Sequence, residues 1–93
     1  MVKYSQEKVR RAVLRTAKAA FETSLEYCPV RTGRLKNSIT LLPAKESAVI
    51  FTDVEYAANV ELGTFRQRPQ PFLSRGIYRA AEMAGEIFKE ELL

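Results

Sequence analysis

The stretch ITLLPAKESAVIFT at residues 39–52 decides the fold of this chain. Two short apolar runs rich in β-branched side chains, at residues 39–42 and 48–52, flank a five-residue connection that begins with Pro43. This pattern predicts an antiparallel β-hairpin. Because an isolated hairpin is unstable in water, we expect helices to cover one of its faces.

Helical periodicity appears on both sides of the hairpin. Residues 5–27 carry apolar side chains at helical spacing, and residues 72–92 do so with the inner stripe Leu73, Ile77, Ala80, Ala84, Ile87 and Phe88. A short helix is predicted at residues 56–62, ended by Gly63. The sequence therefore predicts a single α+β domain over residues 1–93, with long N-terminal and C-terminal helices packed on a small antiparallel β-sheet.

The residue composition argues against an enzyme. Histidine is absent and cysteine occurs once, as Cys28, so the commonest general base and a zinc site are both missing. Asp53, Glu55 and Glu61 lie close enough in sequence to leave a hydrolytic or metal-binding pair open. We nevertheless expect no catalytic, cofactor-binding or metal site, and we expect Cys28 to be a buried small hydrophobe.

Charge is divided unevenly along the chain, whose net charge is +4. Residues 1–45 hold ten Lys and Arg against three Glu, and residues 46–93 hold five against eight acidic residues. The first helix carries a basic stripe made of Lys8, Arg11, Arg15 and Lys18. The last helix carries an acidic ridge made of Glu82, Glu86 and Glu90. The basic stripe of one copy can attract the acidic ridge of a neighbouring copy, or the two can simply be solvent-exposed faces. A small basic nucleic-acid-binding regulator is the alternative function, although direct nucleic-acid binding is not our leading expectation.

Three segments carry a family resemblance. They are CPVRTGRLKNSI at residues 28–39, YAANVELGT at residues 56–64 and QPFL at residues 70–73. In this order they resemble the phage tail-component family of head–tail joining and tail-completion proteins, typified by gene product ten of phage Hong Kong 97. The resemblance spans about residues 28–80. It implies a structural virion protein, made in the host cytoplasm, that assembles with copies of itself into an oligomeric ring, commonly a hexamer, beside phage connector and tail proteins.

Particular residues follow from these segments as candidates for the interface. Glu61 can accept hydrogen bonds from the Thr64 hydroxyl or from nearby backbone N–H groups, Gly63 makes a turn, and Phe72 anchors the start of the last helix. The full candidate set is Thr32, Gly33, Leu35, Tyr56, Glu61, Gly63, Thr64, Phe65, Arg66, Arg68, Pro71 and Phe72. These residues either contact other subunits or only hold the monomer fold. No membrane partner is expected, because no apolar run is long enough to cross a bilayer.

Overall fold

The computed structural model describes residues 5–30 and 33–93. In chain order its elements are α1 (Gln6–Tyr27), α2 (Arg34–Ser38), β1 (Thr40–Pro43), β2 (Ala48–Phe51), α3 (Ala57–Leu62) and α4 (Phe72–Leu92). The α+β prediction is confirmed, since the two long helices pack together, the sheet has two antiparallel strands, and a short helix lies between. The described part of the chain is elongated, at 53 × 21 × 19 Å.

Helix α1 begins and ends where its sequence signals lie. The Ser5 side chain caps it by accepting a hydrogen bond from the Lys8 backbone N–H at 3.1 Å. Its last helical residue is Tyr27, and Cys28 is already extended, as expected for a residue that precedes proline. Cys28 is buried, as predicted, and burial raises the pKa of its thiol.

Helices α1 and α4 run antiparallel along a closely packed contact that we call the helix seam. It is made of buried residues with small side chains over most of its length: Ala12, Ala20 and Ser24 of α1, and Gly76, Ala80 and Ile87 of α4. A Cβ atom on Gly76 would collide with the Ala20 carbonyl oxygen and the Ser24 hydroxyl. The absence of a side chain at Gly76 therefore allows the two backbones to approach.

The sequence prediction for Ile77 was wrong. We expected it in the inner stripe of the last helix, but its side chain is 62% exposed. The approach at Gly76 sets the rotation of α4, and successive helical residues lie about 100° apart around the axis. Ile77 is consequently turned away from α1.

The hairpin forms where the sequence predicted it. Leu41 pairs with Ile50 and Leu42 with Val49 across the two strands. Leu41 and Ile50 are half-buried on the face that packs against α1, whereas Leu42 and Val49 are exposed on the other face. One helix therefore covers one face of the sheet, as a short hairpin requires.

A second core lies where the C-terminal end of α1 meets the short elements. It contains buried Cys28, Leu35, Ile39, Val54, Ala57, Val60 and Phe72. Leu35 and Ile39 both point inward, as their spacing of four predicted, although the sequence indicated a turn here and not the five-residue helix α2. Ser38 ties α2 to the sheet, since its hydroxyl donates to the Leu35 carbonyl oxygen and lies 2.5 Å from the Thr52 hydroxyl.

Candidate assembly site

All three segments of the family resemblance meet at one open groove of about 880 Å³, which we call the motif groove. The first segment contributes Gly33 and Leu35, the second Tyr56 and Thr64, and the third Gln70. Further lining residues are Pro29, Arg34, Asn59, Val60, Arg66 and Gln67. Thr32 lies outside the described residues. The structure thus brings together residues that are up to 41 positions apart in sequence.

Glu61 fixes the wall of the groove to helix α4. Its carboxylate accepts hydrogen bonds from the backbone N–H groups of Leu73, at 2.8 Å, and Ser74, at 3.3 Å, and from the Ser74 hydroxyl at 2.5 Å. The sequence left two kinds of donor to Glu61 open, the Thr64 hydroxyl and nearby backbone N–H groups. The structure shows the backbone N–H groups. An anion at a helix N-terminus satisfies N–H groups that have no partner within the helix, so Glu61 caps α4.

The third segment holds the first turn of α4 in place. Phe72 is fully buried and acts as the anchor that the sequence predicted. Pro71 stands at the cap position, one residue before the helix, and its carbonyl oxygen accepts from the Arg75 N–H. The Gln70 N–H donates to the Val60 carbonyl oxygen at 2.8 Å. Phe72 and Pro71 therefore support the groove from behind and do not form its open surface.

Two glycines shape the ends of the motif segments. Gly33 has φ of 81° and Gly63 has φ of 76°, a region that residues with a side chain rarely adopt. At Gly63 a Cβ would also lie within 2.7 Å of the Pro69 nitrogen and 2.9 Å of the Gln67 carbonyl oxygen. Gly63 is thus required both for the turn after α3 and for the return of the chain against it.

The segment after Gly63 is a tight loop with an outward tip. Thr64 and Gln67 exchange backbone hydrogen bonds, and the Thr64 hydroxyl accepts from the Arg66 N–H at 3.2 Å. The Phe65 side chain at this tip is fully exposed. Arg66 and Arg68 form no ion pair with any residue in the described ranges. The loop therefore presents one aromatic ring and two cations to whatever lies outside the chain.

On the opposite rim of the groove, Arg34 and Glu55 form a two-pronged ion pair. The guanidinium nitrogens donate to the two carboxylate oxygens at 3.1 and 2.9 Å, and the guanidinium also lies 5.6 Å from the centre of the Tyr56 ring. A hydrogen bond from its own backbone N–H, followed by the Arg34 contact, lowers the pKa of Glu55. Arg34 is not among the candidate residues predicted from the sequence. Its position within the first segment, two residues after Thr32, was the sequence signal that could have indicated a place in this groove.

The oppositely charged helices meet within one chain. Arg11 binds Glu91 at 3.2 Å, and Arg15 binds Glu90 at 2.8 Å and Glu91 at 3.1 Å. These hydrogen bonds raise the pKa of Arg15 further above its ordinary value. Two cations of the basic stripe and one carboxylate of the acidic ridge are thus already paired inside the monomer.

Asp53, Glu55 and Glu61, for which the sequence left a hydrolytic or metal-binding role open, do not form one cluster. Glu55 binds Arg34 and Glu61 caps α4. Within residues 5–30 and 33–93, no group of three or more histidine, cysteine or acidic side chains is placed to hold a metal ion. A membrane-spanning helix is likewise not found in these ranges.

Comparisons with protein-family models, with curated proteins and with solved structures find no match to this chain.

Proposed function

We propose that this chain is a structural protein of a tailed phage or prophage, acting at the head–tail junction or the tail end by oligomeric assembly. The observation that carries the proposal is the convergence of the three resemblance segments on the motif groove, beside the exposed Phe65. In this proposal the chain is made in the host cytoplasm, ends in the virion, and has no enzymatic role.

The chemistry of the groove and loop suits contact with another protein. Aromatic and arginine side chains are enriched where binding energy concentrates in protein interfaces. Phe65, Arg66 and Arg68 stand together on a loop whose backbone is held by its own hydrogen bonds and by Gly63. A preorganised loop loses less conformational entropy when a partner covers it.

The internal ion pairs change which surfaces the proposal uses. Pairing between the basic stripe of one copy and the acidic ridge of the next would compete with the contacts that Arg11 and Arg15 already make in their own chain. The same contacts weaken the alternative of a nucleic-acid-binding regulator, because they occupy two of its four stripe cations. We therefore place assembly on the motif groove and on the loop that carries Phe65.

Deletion of the gene from the phage or prophage tests the proposal directly. We expect electron micrographs of the deletion lysate to show heads and tails that are not joined into complete particles, with loss of infectious titre. Wild-type chain supplied from a plasmid restores the titre, and so does Tyr78→Ala, the matched control at an exposed aromatic position outside the three segments and the groove lining. Phe65→Ala restores it about tenfold less well or worse. Normal, infectious tailed particles from the deletion would overturn the proposal.

A further inference from the structure

The lining of the motif groove carries positive charge and no carboxylate. Among the described residues that line it, Arg34 and Arg66 are charged, and none is Asp or Glu. The two carboxylates that adjoin the lining in sequence are both engaged, since Glu55 binds Arg34 and Glu61 caps α4. Within residues 5–30 and 33–93 no ion pair neutralises Arg66. The groove therefore offers a cation to an acidic ligand.

The backbone that carries Arg66 is held in place by the chain itself. Its N–H donates to the Thr64 hydroxyl at 3.2 Å, and Thr64 and Gln67 exchange backbone hydrogen bonds on either side of it. The Arg66 side chain is exposed. A guanidinium forms strong charge-assisted hydrogen bonds with a carboxylate, and a cation on a preorganised loop loses less conformational entropy when it does so. Arg66 is thus suited to bind a carboxylate from outside the chain.

Apolar and amide side chains complete the groove. Leu35 and Val60 line it from the second core, where they are buried. Asn59, Gln67 and Gln70 are exposed lining residues, and each side-chain amide offers hydrogen-bond donors and an acceptor. The N–H and C=O groups of a peptide backbone need both kinds of partner. The volume of about 880 Å³ also lies in the range of clefts that bind small ligands.

We propose that the motif groove binds a short extended segment of a partner protein in which an acidic side chain lies close to an apolar one. The carboxylate pairs with Arg66, the apolar side chain packs on Leu35 and Val60, and the backbone of the segment bonds to the side-chain amides. This inference rests on the proposed function, because it names the chemistry of the partner that meets the same site.

An acidic peptide fits this groove better than a nucleic acid does. Surfaces that bind nucleic acid neutralise several phosphates at once and are strongly positive. The described lining holds two arginines, and Arg34 already binds Glu55. Tyr56 supplies the one aromatic ring among these lining residues, whereas single-stranded nucleic acid stacks successive bases on several rings.

Selection from a library of randomised displayed peptides tests this inference, with the purified wild-type chain as bait. We expect the enriched peptides to share an Asp or Glu close to an apolar residue. Fluorescence anisotropy with a labelled enriched peptide gives its Kd. On addition of this peptide, the side-chain amide NMR signals of Asn59, Gln67 and Gln70 should shift, which locates binding in the motif groove.

Charge reversal at Arg66 tests the ion pair. Arg66→Glu should weaken binding of the enriched peptide at least about tenfold, and Arg66→Gln should weaken it less. Lys45→Glu makes the same reversal at an exposed position between the two strands, outside the groove lining, and should leave the Kd unchanged. A peptide with lysine in place of its acidic residue should bind Arg66→Glu more tightly than it binds the wild type. Circular dichroism establishes that each variant is folded.

The inference is overturned if selection enriches no acidic peptide, if Arg66→Glu and Lys45→Glu have equal effects, or if the shifts are confined to other amides. A random single-stranded oligonucleotide that displaces the peptide and binds more tightly would assign the groove to nucleic acid instead. Should any of these occur while particles from the gene deletion remain unjoined, the proposed function stands without this partner. Normal particles without the gene would remove the proposed function, whatever the chain binds in solution.

Discussion

The helix seam and the motif groove show two different uses of the same residue types. Along the seam, Gly76 and its neighbours are closed against α1, and Arg15 finds its partners within the chain. At the groove, the Phe65 ring is fully exposed, and the Arg66 side chain forms no ion pair within the described ranges, although its backbone N–H donates to the Thr64 hydroxyl. The difference teaches that the side chains of the seam are used within the monomer, whereas the Phe65 side chain at the loop tip is left exposed.

Two phenylalanines give the largest expected contrast between these regions. Phe72→Ala removes a fully buried ring from the core behind the groove and should lower the free energy of unfolding by about 3–5 kcal/mol. Phe65→Ala removes a fully exposed ring and should change it by less than about 0.5 kcal/mol. Denaturant unfolding of both variants measures the difference. Similar losses at the two sites would contradict the division between core and loop.

Two glycines of helix α4 sharpen the description of the seam. Gly76→Ala forces a methyl group against Ala20 and Ser24, so we expect a loss of about 1–3 kcal/mol. Gly85→Ala meets open space in the middle of the same helix and should stabilise the protein by roughly 0.5–1 kcal/mol. Thermal and denaturant unfolding supply both values. If the two substitutions shift stability in the same direction, the close approach at Gly76 is not what limits the seam.

Substitution of two glutamates distinguishes the stability contributed by a helix cap from that contributed by an exposed ion pair. Glu61→Gln keeps the shape of the side chain but removes the anion that caps α4, and we expect a loss of about 1 kcal/mol. Glu82→Gln removes an exposed ion pair with Arg79 and should cost less than about 0.5 kcal/mol. Hydrogen exchange of the Leu73 and Ser74 amides locates the effect. Equal protection of these amides in both variants would remove the capping role.

The smallest expected effect is at the rim of the groove. Because the pKa of Glu55 is lowered in the folded chain, its stabilising contact is present at neutral pH and is lost as pH falls through that lowered pKa. A side-chain NMR titration should therefore place the pKa of Glu55 below its ordinary value. Arg34→Gln should move it back towards that value only in part, since the backbone hydrogen bond of Glu55 remains. No change on substitution would exclude the Arg34 contact in solution.

Local sequence signals predicted most of the fold. Helical periodicity and Pro29 bound the first helix, the β-branched runs around Pro43 form the hairpin, and Gly63 makes the turn after α3. Each of these signals acts over a few neighbouring residues, and for that reason it can be read without tertiary structure.

The features that the sequence did not predict depend on the rotation and pairing of whole elements. The helical spacing of apolar residues is compatible with Ile77 either on the face packed against α1 or on the exposed face of α4. The close approach at Gly76 fixes the rotation of α4 and leaves Ile77 exposed. The ion pairs of Arg15 with α4 join residues 75 and 76 positions apart, so charge patterning alone could not assign them to one chain or to two. The motif groove likewise exists only after α2, α3 and the loop have packed together.

Photo-crosslinking within purified particles tests most directly the claim that the loop beside the motif groove, and not the outer face of α1, meets partners. A photoreactive phenylalanine analogue replaces Phe65 in one variant and Glu22, exposed on α1, in the other. We expect illumination to link the chain through position 65 to a virion protein or to a second copy, and to give little adduct from position 22. Adducts from position 22 with none from position 65, or absence of the chain from the particles, would contradict the account.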